Sequence, residues 1–86
     1  MTEEIRKLLQ SPGRIIGAKQ TIIAVENGQI GRIILAADAD EPFKQRIIGI
    51  AEKHGVPITG VPARAMLGRE CGIDVGAAVV GIGKFK

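Results

Sequence analysis

Arg32-Ile33-Ile34-Leu35-Ala36-Ala37-Asp38-Ala39-Asp40-Glu41-Pro42, residues 32–42, decides how the rest of this chain is arranged. Ile33 to Ala37 is an unbroken apolar run, the pattern of a strand covered on both faces. Such a strand has no side for water and needs a helix on each face. The composition then changes at once: Asp38, Asp40 and Glu41 are turn and cap residues, and Pro42 suits the first position of a helix. A buried strand that hands over directly to a helix is the working unit of an α/β architecture.

Downstream, Phe43, Ile47, Ile50 and Ala51 recur at helical spacing, and Lys53-His54-Gly55 closes that helix. Val56 to Val61 reads as a weaker strand, with Pro57 pushing its start toward a sheet edge. Pro62 to Cys71 reads as a helix with Ala63, Met66, Leu67 and Cys71 inward, ending at Gly72. Residues 73–76 form a loop, and Ala77 to Ile82 a last buried strand. Upstream, Ala18, Ile22 and Val25 mark the inner face of a helix that stops at Asn27-Gly28, and residues 14–17 read as a short strand. Thr2 caps a first helix in which Ile5, Leu8 and Leu9 point inward and Arg6 and Lys7 outward; Ser11-Pro12-Gly13 ends it. The order α-β-α-β-α-β-α-β predicts a three-layer α/β/α sandwich on a four-stranded sheet. Right-handed crossovers would make most neighbouring strands parallel.

Eighty-six residues suit one domain, 1–86, with a compact core. Hydrophobic residues are 45% of the chain, and the only aromatics are Phe43 and Phe85, so that core is aliphatic. The aromatic shortage argues against modules that stack single-stranded bases on a sheet. Twelve Lys and Arg against nine Asp and Glu leave a net charge of +3, a mild bias toward an anionic partner. Cys71 stands alone, which excludes an intramolecular disulfide and a multi-cysteine zinc site; it reads as a buried small hydrophobe. The acidic start Met1-Thr2-Glu3-Glu4 is no secretion signal, and no apolar run reaches membrane-spanning length, so the expected location is the cytoplasm.

Gly17-Ala18-Lys19-Gln20-Thr21 carries the chemistry. A strand that turns on Gly17 into a helix points free backbone N–H groups outward, a ready site for phosphate. Lys19 and Gln20 lie in the first turn and can reach past those amides. The bland alternative is that both are solvated first-turn residues.

Three blocks, Gly17–Thr21, Ala36-Ala37-Asp38-Ala39-Asp40, and Val61-Pro62 through Leu67-Gly68-Arg69-Glu70-Cys71-Gly72-Ile73-Asp74-Val75, resemble the kink-turn RNA-binding family. That family includes archaeal ribosomal protein L-seven-A-e and eukaryotic L-thirty-e, and the chain is most similar to its short bacterial YbxF-type members. The resemblance implies the same sandwich fold, with a mixed sheet whose final strand runs antiparallel to the others. It also implies binding to a sharply bent RNA flanked by sheared G·A pairs, with the helix opening at Gly17 and Ala18 entering the widened groove. Lys19 would then meet guanine acceptors and Gln20 a purine edge. The loop Gly72-Ile73-Asp74-Val75 would hold apolar side chains against an extruded nucleotide, and Arg64 and Arg69 would touch phosphates. No cofactor or metal is implied, and the host would be ribosomal RNA or a structured mRNA element, bound by a monomer.

Ile23 departs from the family pattern, which usually places a lysine there as a second guanine contact. An apolar side chain offers no donor, so a contact worth about 1–3 kcal/mol is missing. That departure supports an alternative: a protein–protein interaction or ribosome assembly factor of the same fold with weak or nonspecific RNA binding. Ile73 and Val75 as core residues, and Arg64 and Arg69 as solvated helix residues, are the bland readings. Asp38, Asp40 and Glu41 suit caps better than a Mg²⁺ site, and His54 has no Ser, Cys or Asp partner near it in sequence, so an enzyme is not expected. Gly81-Ile82-Gly83-Lys84 resembles the end of a phosphate loop, but Ala78 and Phe85 stand where that loop needs Gly and Ser or Thr.

Overall fold

Each apolar period becomes the element it predicts. In the computed structural model, which describes residues 2–84, the elements are helix α1 (Glu3–Leu9), strand β1 (Arg14–Ile16), helix α2 (Ala18–Glu26), strand β2 (Ile30–Ala36), helix α3 (Glu41–His54), strand β3 (Ile58–Val61), helix α4 (Arg64–Glu70) and strand β4 (Val79–Gly83). Phe85, which figured in the phosphate-loop comparison, lies outside the described residues; Gly81 to Gly83 belong to β4.

β2 is apolar on both faces because both are covered. Ile34 and Ala36 join Ile5 and Leu9 of α1 and Leu67 of α4 in one core cluster. Ile33 and Leu35 join Ala24 and Val25 of α2 and Ile47 and Ala51 of α3 in another. Alternation along a strand sends successive side chains to opposite faces, so one strand feeds both halves of the core. The result is the predicted three-layer α/β/α sandwich. An irregularity between Ile30 and Arg32 shifts the pairing with β4. The extra residue turns Ile30 onto the same face as Ile33, three positions on, where strict alternation would have separated them.

The sheet order is β1-β4-β2-β3. Strand β2 is parallel to β3, but β4 lies between β1 and β2 and is antiparallel to both. Most neighbours are therefore antiparallel, against the expectation from right-handed crossovers; the single antiparallel final strand is as the family resemblance implies. The crossover rule governs β2–α3–β3. After α4, however, the chain doubles back: the Ala77 N–H donates to the carbonyl of Arg64, the first residue of α4, at 3.1 Å. It thus enters β4 from the end at which β3 finished, and β4 must run the other way.

The inner face of α2 also differs from the prediction. Thr21, Ala24 and Val25 are buried, whereas Ala18 and Ile22 are half-buried. Thr21 is fully buried because its hydroxyl donates to the Ile15 carbonyl at 3.2 Å, which satisfies it without water. Gly81 makes the space: a Cβ there would come within 2.9 Å of the Thr21 methyl. On the other face, Thr2 caps α1 by accepting from the Ile5 N–H at 3.2 Å, and Arg6, expected to face solvent, reaches Glu70 of α4 at 3.3 Å.

Candidate nucleic-acid interface

Strands β1, β2 and β3 all end at one rim of the sheet, and β4 begins there. Three backbone bonds stitch the rim: Gly17 N–H to the Val79 carbonyl at 3.1 Å, Ala36 N–H to Ala78 at 2.9 Å, and Ala37 N–H to Val61 at 2.8 Å. Gly17–Gln20, Ala37–Asp40, Arg64 and the loop before β4 therefore share one edge. Carboxyl ends of strands in open α/β sheets are where chain connections leave room for ligands.

At this edge Gly17 caps α2 with φ 105° and ψ 153°, and a Cβ there would touch nothing. Glycine is needed for backbone conformation, not for space. With no side chain to accept from them, the first-turn N–H groups of Ala18, Lys19 and Gln20 stay open, and the side chains of Lys19 and Gln20 are exposed beside them. Lys19 shares an open recess with Ala18, Ile22, Ile23 and, from α3, Arg46. Arg46 escaped the sequence reading. Its available signal was a charged residue on the flank of the Phe43–Ile47–Ile50 stripe, but which neighbour that flank meets depends on packing.

The second part of the site is the loop after α4, and here most residues of Leu67-Gly68-Arg69-Glu70-Cys71-Gly72-Ile73 have a geometric task. Leu67 and Cys71 are buried in the core, where desolvation pushes the Cys71 thiol above its ordinary pKa. Gly72, at φ 80°, reverses the chain, and the Ile73 N–H donates to the Gly68 carbonyl at 3.1 Å. The loop then lies directly on α4: a Cβ at Gly68 would collide with the Val75 carbonyl oxygen, and one at Gly76 would sit 3.2 Å from the Arg64 Cβ. Ile73 is half-buried and packs against the core, while Val75 is 70% exposed. Arg69, Gly72, Ile73, Asp74 and Val75 line one recess of about 490 Å³.

Arg64 sits in the adjoining hollow with Asp38, Ala65 and Gly76. The Asp38 carboxylate accepts from the Arg64 N–H at 2.9 Å and lies 3.6 Å from its guanidinium. Asp38 thus caps α4 across space, whereas Asp40, at the N-cap of α3, makes no side-chain cap bond. Lys44 donates to the Ala37 carbonyl at 2.8 Å and to Glu41 at 2.9 Å, and its bond holds the Glu41 carboxyl below the ordinary range. The Asp38 and Glu41 carboxylates are thus engaged around the rim loop, and among the described residues no cluster of three His, Cys, Asp or Glu is placed to hold a metal. The sequence-predicted residues therefore fall in two groups that flank the start of β4. Gly17, Ala18, Lys19 and Gln20 stand at the α2 corner, and Arg64, Arg69 and Gly72–Val75 on the α4 side. The recess of Lys19 shares no lining residue with that of Ile73.

The model of the Ribosomal protein L7Ae/L30e/S12e/Gadd45 family matches residues 1–86. An "RNA-binding protein" of Geobacillus thermodenitrificans is 43% identical over 76 residues, covering 88% of this chain and 93% of the relative. The "RNA-binding protein YbxF" of Geobacillus stearothermophilus is 42% identical over the same shares. Among solved structures, the Giardia lamblia 15.5kD RNA binding protein superposes with a TM-score of 0.84 at 27% identity, covering 100% of this chain and 79% of that one.

Proposed function

This chain belongs to the ribosomal protein L7Ae/L30e/S12e/Gadd45 family, and we propose that it is a non-enzymatic RNA-binding protein that recognises and stabilises kink-turn or similar bent internal-loop RNA. The carrying observation is the rim: the open amides and exposed Lys19 and Gln20 of the α2 corner stand where β4 begins, and the Gly72–Val75 loop folds back along α4 to reach that rim at Ala77. A straight A-form duplex has a deep, narrow major groove and keeps its bases stacked, whereas a sharply bent one can offer a widened groove and an extruded nucleotide together.

In this reading the α2 corner enters the groove. Lys19 donates to the O6 and N7 acceptors of a guanine, and Gln20 donates to and accepts from a purine edge. Ile73 and Val75 cover the face of the extruded nucleotide, and Arg64 and Arg69 meet phosphates, adding affinity and salt dependence more than sequence information. Because only the bent conformer satisfies both regions, binding shifts the RNA population toward it. The protein acts as one domain over residues 1–86, as a cytoplasmic monomer, on ribosomal RNA or a structured mRNA element.

A gel-shift titration tests this. A kink-turn RNA is compared with the same RNA carrying Watson–Crick pairs in place of the G·A pairs. The expected result is a clear preference for the bent motif; equal binding to both defeats the reading. The exposed aliphatic side chains Ile23 (42%) and Val75 (70%) favour the second reading, a protein-binding or ribosome assembly role with weak RNA affinity, which equal binding would promote.

A further inference from the structure

Among the described residues, two large hydrophobic side chains are exposed, Ile23 and Val75, and each lines a recess together with an unpaired cation. Val75 is accompanied by Arg69. Ile23 is accompanied by Lys19 on its own helix and by Arg46, which comes from α3. Both helices start at the rim and run away from it in the same direction, and Ile23 and Arg46 are each five residues beyond their helix's first residue. At 1.5 Å per residue both lie about 7–8 Å below the edge, side by side.

Lys44, the other cation in the first half of α3, is engaged with Glu41 and the Ala37 carbonyl. Arg46 has neither an ion pair nor a hydrogen bond among the described residues, and the same is true of the Lys19 side chain. The recess is thus lined by aliphatic Ala18, Ile22 and Ile23 and by two free cations, Lys19 from α2 and Arg46 from α3. A nucleotide has the matching form, an apolar face bordered by phosphates, and the planar guanidinium fork matches a phosphate bidentately.

We propose that Arg46 is an RNA-contacting residue that grips a phosphate next to the nucleotide read by Lys19, with Ile23 packed beneath the sugar or base between them. This rests on the bent-RNA reading above and deepens it: the interface extends from α2 onto α3, and the charge that position 23 lacks comes from the adjoining helix.

Arg46→Gln removes the charge while keeping length and polarity, and Lys53→Gln removes one from the last turn of the same helix. Affinities for the kink-turn RNA are measured over a range of salt, with thermal unfolding alongside. Arg46→Gln should weaken binding about tenfold and flatten the salt dependence by roughly one phosphate contact, ~0.7–0.9 in the log–log slope, with an unchanged melting temperature. Lys53→Gln should do neither. Ile23→Lys should restore the Arg46→Gln protein by a larger factor than it improves the wild type, since the second cation is then no longer redundant. Equal effects of Arg46→Gln and Lys53→Gln, or an unchanged slope, would overturn the assignment of Arg46 alone. A wild-type protein that ignores the G·A pairs instead removes the bent-RNA reading, and this inference with it.

Discussion

The two recesses of the rim are built in opposite ways. The α2 side is made of regular helix: its shape follows from the Gly17 turn, and its chemistry from open amides and the side chains of Lys19, Gln20 and Arg46. The α4 side is irregular chain, held in place by the absence of a Cβ at Gly68 and by bonds such as Ile73 N–H to the Gly68 carbonyl. Helical positions can exchange side chains without moving the backbone, so the first side is tunable by charge. A loop pressed onto a helix cannot change at its contact point without shifting, so the second is tunable by shape.

Gly68→Ala should separate the two most sharply. The added methyl meets the Val75 carbonyl, which has no free rotation to escape, so the loop must lift from α4. We expect a loss of about 2–3 kcal/mol in unfolding free energy from overpacking, and loss of the kink-turn preference, measured by urea unfolding and gel shift. Ordinary stability in this variant would show that the loop contact is soft.

Lys19→Ala should do the reverse: stability unchanged, because the side chain is exposed and unpaired, but motif binding weaker by about 1–3 kcal/mol. Lys84→Ala, which removes the same charge at the opposite end of the sheet, should cost less. Equal losses in the two variants, read by titration at one salt concentration, would reduce the α2 side to general electrostatics.

The smallest effect is expected where the two sides are joined. Asp38→Ala removes the acceptor of the Arg64 N–H and frees its guanidinium. A lost helix cap is worth about 1 kcal/mol of stability. Affinity should change little, or rise as Arg64 becomes available to phosphate. A loss of affinity matching that of Lys19→Ala would instead make the tether itself essential to the site.

The α2 corner was legible from residues alone, because a glycine between an apolar triplet and a polar first turn is a local signal. The Leu67–Val75 pattern of the α4 side was legible only as a family resemblance. That Gly68 exists to admit the Val75 carbonyl depends on the loop doubling back, which no periodicity reveals. Thr21 was placed in the corner motif but not in the core, since a hydroxyl reads as exposed until its partner, the Ile15 carbonyl, is known. Arg46 was missed for the same kind of reason: its meaning arises from Ile23 on another helix.

By itself, the sequence determined which segments are helix or strand, their order, their two-sided burial and the opening of α2, because hydrophobic spacing, caps and glycine turns act over a few residues. Only the tertiary structure decided that β4 slots between β1 and β2, that Asp38 caps α4 rather than α3, and that Arg46 stands beside Ile23. Those outcomes depend on which way one loop reverses and on contacts between residues distant in the chain, and such contacts are settled by packing against a common core rather than by local preference.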